Sequence, residues 1–134
     1  MKALLPLAAV AALIGGCGLD VQSPDLFLLT RTGSGPRLTL LVSDDGTISC
    51  DARPSKQLPG NTLIAVRDLT TSLNTDATHR LHIARTPQTV STYTVRLQSG
   101  TISFPDTAAR THKELAQLVL FATQAAQSPC GLGG

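Results

Sequence analysis

Hydrophobic positions fall into three patterns along the chain: an unbroken apolar run at the N-terminus, short stretches of period two, and two stretches with helical spacing. Ala3 to Ile14 carries no polar residue, and it falls well short of the roughly 20 residues needed to span a bilayer as a helix. Leu26-Phe27-Leu28-Leu29-Thr30 is β-prone, and Thr32-Gly33-Ser34-Gly35-Pro36 then breaks the chain. Arg37 to Val42 is again β-prone, with room at an edge or beside it for the first strand. Asp44-Asp45-Gly46 is a hairpin turn signal, and Thr47-Ile48-Ser49-Cys50 alternates as a strand does. The segment from Asp51 to Gly60, with two prolines, predicts a loop. Further on, Tyr93, Val95 and Leu97 alternate with Thr94 and Arg96, Ser99-Gly100 turns the chain, and Ile102 and Phe104 return.

The helical stretches are distinct. Asn61 is a candidate cap, followed by Leu63, Val66, Leu69 and Leu73. Asn74 to Pro87 is polar and predicts a long loop with a short strand at Leu81-His82-Ile83. Thr111-His112-Lys113-Glu114 matches a capping box, and Leu115, Leu118, Val119, Ala122 and Ala125 mark one helix face up to Pro129. Gly46-Thr47-Ile48-Ser49 recurs as Gly100-Thr101-Ile102-Ser103, each copy after a strand and turn and before a loop and helix. The expected fold is α+β: an antiparallel sheet of four to five strands with two helices on one face, in a ββα-ββα pseudo-repeat, because neither unit buries its helix alone.

The N-terminus has a layout of its own. Met1-Lys2 supplies a positive charge, the apolar run follows, and Ile14-Gly15-Gly16-Cys17 closes it. This is the pattern of a secretory signal peptide, and its last four residues resemble the bacterial lipobox. That resemblance implies residues 1–16 as a cleaved lipoprotein signal peptide. It implies a diacylglyceryl thioether on Cys17 with further acylation, such as palmitate, on its amine. Two chains give stable anchoring where one is marginal. Residues 17–24 would be a lipidated tether reaching about 25 Å at most, and 25–134 a single globular domain on the extracytoplasmic face of the cell membrane.

Composition narrows the rest. The precursor's net charge of +2 drops to +1 without Lys2, which argues against nucleic acid and against electrostatic membrane binding. Of three cysteines, Cys50 and Cys130 remain once Cys17 is lipidated. In an oxidising compartment they form the expected disulfide, closing a loop that chain entropy values at roughly 4 kcal/mol.

Candidate chemistry is sparse. His79 and His82, with Asp76 nearby, have the spacing of metal ligands but no further ligand beside them, so we expect solvated residues and no metal or cofactor. His112 is expected as an exposed helix-start residue. Ser49 and Ser103 follow strands without a nucleophile elbow, and Asp44-Asp45 serves a turn. No catalytic constellation emerges, so an enzyme is not expected and a hydrolase is the last of the readings. Arg53 and Lys56 in one loop, and Arg80 and Arg85 in the other, are the candidate partner contacts. The C-terminal Gly131-Leu132-Gly133-Gly134 is expected to be a frayed tail.

The anchor on a body of this size resembles the small lipoproteins of high-GC Gram-positive bacteria, with Ser23-Pro24-Asp25-Leu26-Phe27-Leu28 and Leu115-Ala116-Gln117 in keeping. Those lipoproteins are of unknown function and the likeness carries no mechanism; with no catalytic constellation in the chain, the expectation is a binding or accessory module of the envelope with an unidentified envelope protein as partner. A second likeness, paired hairpins each followed by a helix with Tyr93-Thr94-Val95-Arg96 in the second, is similar to emfourin-type protease inhibitors. An inhibitor would use a rigid exposed loop such as 51–60.

Overall fold

Two hairpins flank one central strand, and two helices cover one side of the sheet they make. The computed structural model describes residues 25–132; the expected signal segment, Cys17 and the expected tether lie outside them. The strands are β1 (Asp25–Gly33), β2 (Leu38–Ser43), β3 (Thr47–Cys50), β4 (Lys56–Gln57), β5 (Ser91–Leu97) and β6 (Gly100–Pro105). The helices are α1 (Gly60–Thr78) and α2 (Lys113–Gln127), with a 3₁₀ turn at Asp106–Arg110 between β6 and α2. The sheet order is β4-β3-β2-β1-β5-β6, and every strand pair is antiparallel. The expected class and the helix-bearing face are present, with one strand more than expected. The extra strand is β4, set within the expected 51–60 loop and held by Thr47 opposite Gln57 and Ile48 opposite Lys56.

β1 occupies the centre rather than an edge, pairing β2 on one side and β5 on the other. Its unbroken Leu-Phe-Leu-Leu run fits a strand buried on both faces, which has no need to alternate. Phe27 and Leu29 point into the core at 0 % exposure, and Leu28 on the opposite face is 6 % exposed. The remaining strands alternate. Leu40, Val42, Ile48, Tyr93, Val95, Ile102 and Phe104 join the single core cluster. Thr30, Thr39, Ser49, Thr94 and Ser103 alternate with them and lie on the helix-free face.

α1 runs five residues beyond its last expected apolar position, so the first six residues of the expected loop at Asn74–Pro87 are helix or helix cap. Leu69, Leu73 and Ala77 recur at four-residue steps and are buried. Hydroxyls that would compete with helix formation are absorbed within it: Thr70 and Thr78 donate to the carbonyls of Val66 and Asn74 at 2.8 Å. The helix ends in a Schellman motif, with Leu81 N–H on Asp76 O at 2.9 Å and Arg80 N–H on Ala77 O at 3.0 Å. Arg80 takes the left-handed position, φ 55°, that glycine usually fills. Leu81 and Ile83 then lie along the outer edge of β6 as an isolated parallel bridge, with Ile83 N–H on Ser103 O at 2.9 Å.

Both expected caps differ from the observed ones. α1 is preceded by Pro59 and α2 by His112, and neither has a side-chain cap bond. Asn61 Oδ1 accepts from the neighbouring Thr62 N–H. Thr111 follows the 3₁₀ turn, which redirects its hydroxyl to Ala108 O at 3.4 Å, so the capping box does not form. Leu132 packs against the core and its N–H meets Ala126 O at 2.6 Å, so the expected frayed tail is docked as far as Leu132.

Candidate functional site

The strand directions define two ends of the sheet. At the near end, the chain enters β1 at Asp25 between the β2–β3 and β5–β6 turns. α1 crosses that end. Arg67 Nε meets Asp44 Oδ1 at 2.7 Å and Ser99 Oγ donates to Asn74 Oδ1 at 3.0 Å, so one helix grips both turns. Asp45 accepts from the hydroxyl of Thr47 at 2.7 Å and from its N–H at 2.9 Å. These bonds, the hydroxyl's foremost, hold the Asp45 carboxyl below its usual range. At the far end, about 30 Å along the nine residues of β1, lie the β1–β2 loop and the 3₁₀ turn, and the β3–β4 loop faces the same way.

The β3–β4 loop is the most heavily braced irregular segment. Asp51 and Ala52 both take left-handed backbone, φ 51° and 59°, and Arg53 N–H closes onto Cys50 O at 3.0 Å. This is the form of a type I′ turn, in which two successive residues need positive φ and Asn-Gly is the favoured pair. Asp51 is bonded twice to Thr39: its N–H donates to Thr39 O and its Oδ1 accepts from Thr39 N–H, each at 2.8 Å. Ser49 Oγ donates to Arg53 O at 2.7 Å. Lys56 Nζ donates to Pro129 O at 2.9 Å, and Leu58 is 3 % exposed beneath the end of the loop. Cys50 and Cys130 are joined at the loop's base, with Cα atoms 5.8 Å apart and 80 positions between them in sequence. Residues 51–55 are nonetheless all exposed. A rigid backbone thus holds an exposed tip.

The predicted partner residues do not form one patch. Arg53 and Lys56 sit at the β3–β4 side of the sheet, while Arg80 and Arg85 lie beyond β6 at the opposite side. Arg53 instead shares its end with Arg37 and Arg31. Arg37 precedes Leu38, which pairs with Arg31, and Thr39 is bonded to Asp51. Sequence reasoning passed over Arg37. The hairpin signal at Asp44-Asp45-Gly46 held the information, since its register fixes which residues meet at the open end. Tyr93, opposite Arg31 and stacked on Phe104 at 5.3 Å, has its hydroxyl pushed above its ordinary range by burial, against the opposing pull of Arg31.

The remaining candidates do not converge. His79 caps α1, its Nδ1 2.8 Å from Thr75 O, while His82 lies in the β6 bridge. Among the described residues no group of three His, Cys, Asp or Glu is placed to hold a metal ion. Ser49 is bonded to a loop carbonyl, and His112 Nδ1 faces Thr111 Oγ1 at 3.0 Å. A groove of about 590 Å³ runs between α1 and α2 over Val66, Leu69 and Phe121, with Asn61, Gln117 and Gln124 on its walls. No described helix is long and apolar enough to cross a membrane. No protein-family model, curated protein or solved structure matches this chain.

Proposed function

We propose that the protein is a lipid-anchored bacterial lipoprotein of the extracytoplasmic membrane face. Its folded body would be a non-catalytic binding or accessory module that presents the 51–55 loop to an envelope protein. The observation that carries the module reading is the loop itself. Two consecutive non-glycine residues in left-handed backbone cost free energy that an unconstrained surface loop would relax. Here a disulfide, a strand pairing and three side-chain bonds hold that geometry while the tip stays exposed. Such an arrangement lowers the ordering cost of binding. The lipobox Ile14-Gly15-Gly16-Cys17 supports the anchor, and the near-end position of Asp25 fits a module whose loop faces away from the bilayer.

Two experiments test this. Cys17→Ser is expected to move the protein out of the membrane fraction or leave it uncleaved; unchanged partition and mobility would refute the anchor. A photo-crosslinker at Ser55 in the native envelope is expected to give a discrete adduct that one at Gln88, exposed in the segment leading into β5, does not. Equal labelling from both would refute the loop's role.

The braced loop also favours a second reading, a secreted-protease inhibitor. A substrate-like mode through Arg53 is opposed by its carbonyl, already engaged by Ser49, and by the following Pro54. Incubation with a protease panel separates the two, since an inhibitor reduces turnover at near-stoichiometric dose.

A further inference from the structure

We infer that the far end of the sheet, around Arg37 and Arg53, recognises an acidic polypeptide surface. This rests on the reading of the 51–55 loop as the presented surface and names its partner's chemistry. Arg37 and Arg53 are exposed and, among the described residues, their guanidinium groups have no hydrogen-bond or ion-pair partner. Arg31 lies behind them on β1, and Arg110 stands on the 3₁₀ turn at the same end. Like charges gathered on neighbouring strand ends are unfavourable, and this end could have neutralised them.

The carboxylates present are committed to other work. Asp51 accepts the Thr39 N–H at 2.8 Å, and Asp106 accepts the Val90 N–H at 3.2 Å. Lys56 is tied to Pro129 O. By contrast, the near-end guanidinium of Arg67 is matched to Asp44 within the protein. Among the described residues Arg80, Arg85 and Lys113 are exposed and without a partner as well, so what sets Arg37 and Arg53 apart is their place beside the braced tip.

Arginine's planar fork suits carboxylates bidentately. Asp51 and Asp106 interrupt the positive end, and a phosphate polymer has no N–H group to offer either of them, whereas an acidic polypeptide has one in each peptide unit. A folded partner can set carboxylates against the arginines and donors against the aspartates, which favours polypeptide over a phosphate polymer.

The test uses the processed full-length lipoprotein in zwitterionic detergent, with labelled decaglutamate, decalysine and inorganic polyphosphate as probes. Decaglutamate is expected to bind saturably, decalysine not at all, and raising salt to weaken the complex, because exposed ion pairs are screened. The double variant Arg37→Gln/Arg53→Gln is expected to weaken binding by about tenfold, as loss of two charge-assisted contacts implies. Arg80→Gln/Arg85→Gln, with the same change in net charge at the other side, is expected to leave it within about twofold. Equal loss in both double variants would overturn the inference, as would polyphosphate binding as tightly as decaglutamate, or no binding. A Ser55 adduct in the envelope whose yield ignores Arg37→Gln/Arg53→Gln would leave the loop reading standing and remove the acidic partner alone.

Discussion

At Ala52 a single side chain sits where its chirality is a disadvantage. A left-handed L-residue costs roughly 1–2 kcal/mol, and glycine would remove that while giving back about 0.5–1 kcal/mol in unfolded-chain entropy. Ala52→Gly is therefore expected to stabilise the domain by up to about 1 kcal/mol, measured by urea unfolding. A decrease would show that the methyl makes a contact worth more than the strain. Tyr93 offers a cleaner residue-scale probe because it is the only tyrosine. Its hydroxyl is raised above the ordinary value of 10.0, chiefly by burial. The folded state then holds the proton more tightly than the unfolded chain. The associated stability is fully present below the unfolded pKa and is lost as pH rises through the folded one. The absorbance of tyrosinate should appear at higher pH in the native protein than in urea, and Arg31→Leu should raise it further. Coincident titrations would mean that the ring is not buried as described.

At the scale of the element, α2 separates packing from capping. Leu118 is fully buried, and truncation to alanine is expected to cost about 2–5 kcal/mol. Thr111 makes no cap bond, and its hydroxyl meets only Ala108 O at 3.4 Å and the exposed His112 Nδ1 at 3.0 Å, so Thr111→Ala should fall within about 0.5 kcal/mol of wild type. A loss near 1 kcal/mol, the usual cost of a lost cap, would restore the capping box. The docked stripe is legible in the sequence, because a 3.6-residue period is set by burial. Phe121, which meets Phe27 edge-on at 5.9 Å, lies on that face yet escapes an aliphatic pattern. The capping-box pattern misleads because a cap residue must itself be extended, and the 3₁₀ turn leaves Thr111 at φ −120°, ψ −9°, so that His112, at φ −124°, ψ 107°, takes the cap position. Ala108 is buried and the 3₁₀ turn continues through Arg110. The end of α1 is hidden for a related reason: tertiary burial of Ala77 carries a Thr/Asn-rich segment into helix, and arginine rather than glycine stops it.

At the scale of the whole molecule, the two hairpin-helix units are equivalent in outline and unequal in how they close. Both copies of the Gly-Thr-Ile-Ser repeat begin at a turn gripped by α1. At Gly100 an added Cβ would overlap the Ala77 carbonyl, whereas at Gly46 it would meet only the side chains of Gln57 and Leu63. The second unit is thus locked by backbone. The first is locked by the chain's C-terminus, through Cys130 on Cys50 and Pro129 on Lys56. Sequence parity identifies the cysteine pair, but what it braces depends on β4 and the positive-φ turn, which two-residue pairing and non-glycine positions conceal. Joint replacement, Cys50→Ala/Cys130→Ala, removes a closure over 80 positions, worth roughly 4 kcal/mol at the upper end. Leu115, Leu118, Ala122 and Ala125 still dock α2, so the domain should stay folded with a lower denaturant midpoint. The loss should not be spread evenly. Amide exchange should accelerate most at 51–57 and 128–132, while β1, β5 and β6 keep their protection relative to the new global stability. An even change would mean that the bridge acts only through the unfolded chain, and the loop would then owe its form to Thr39, Ser49 and β4 alone.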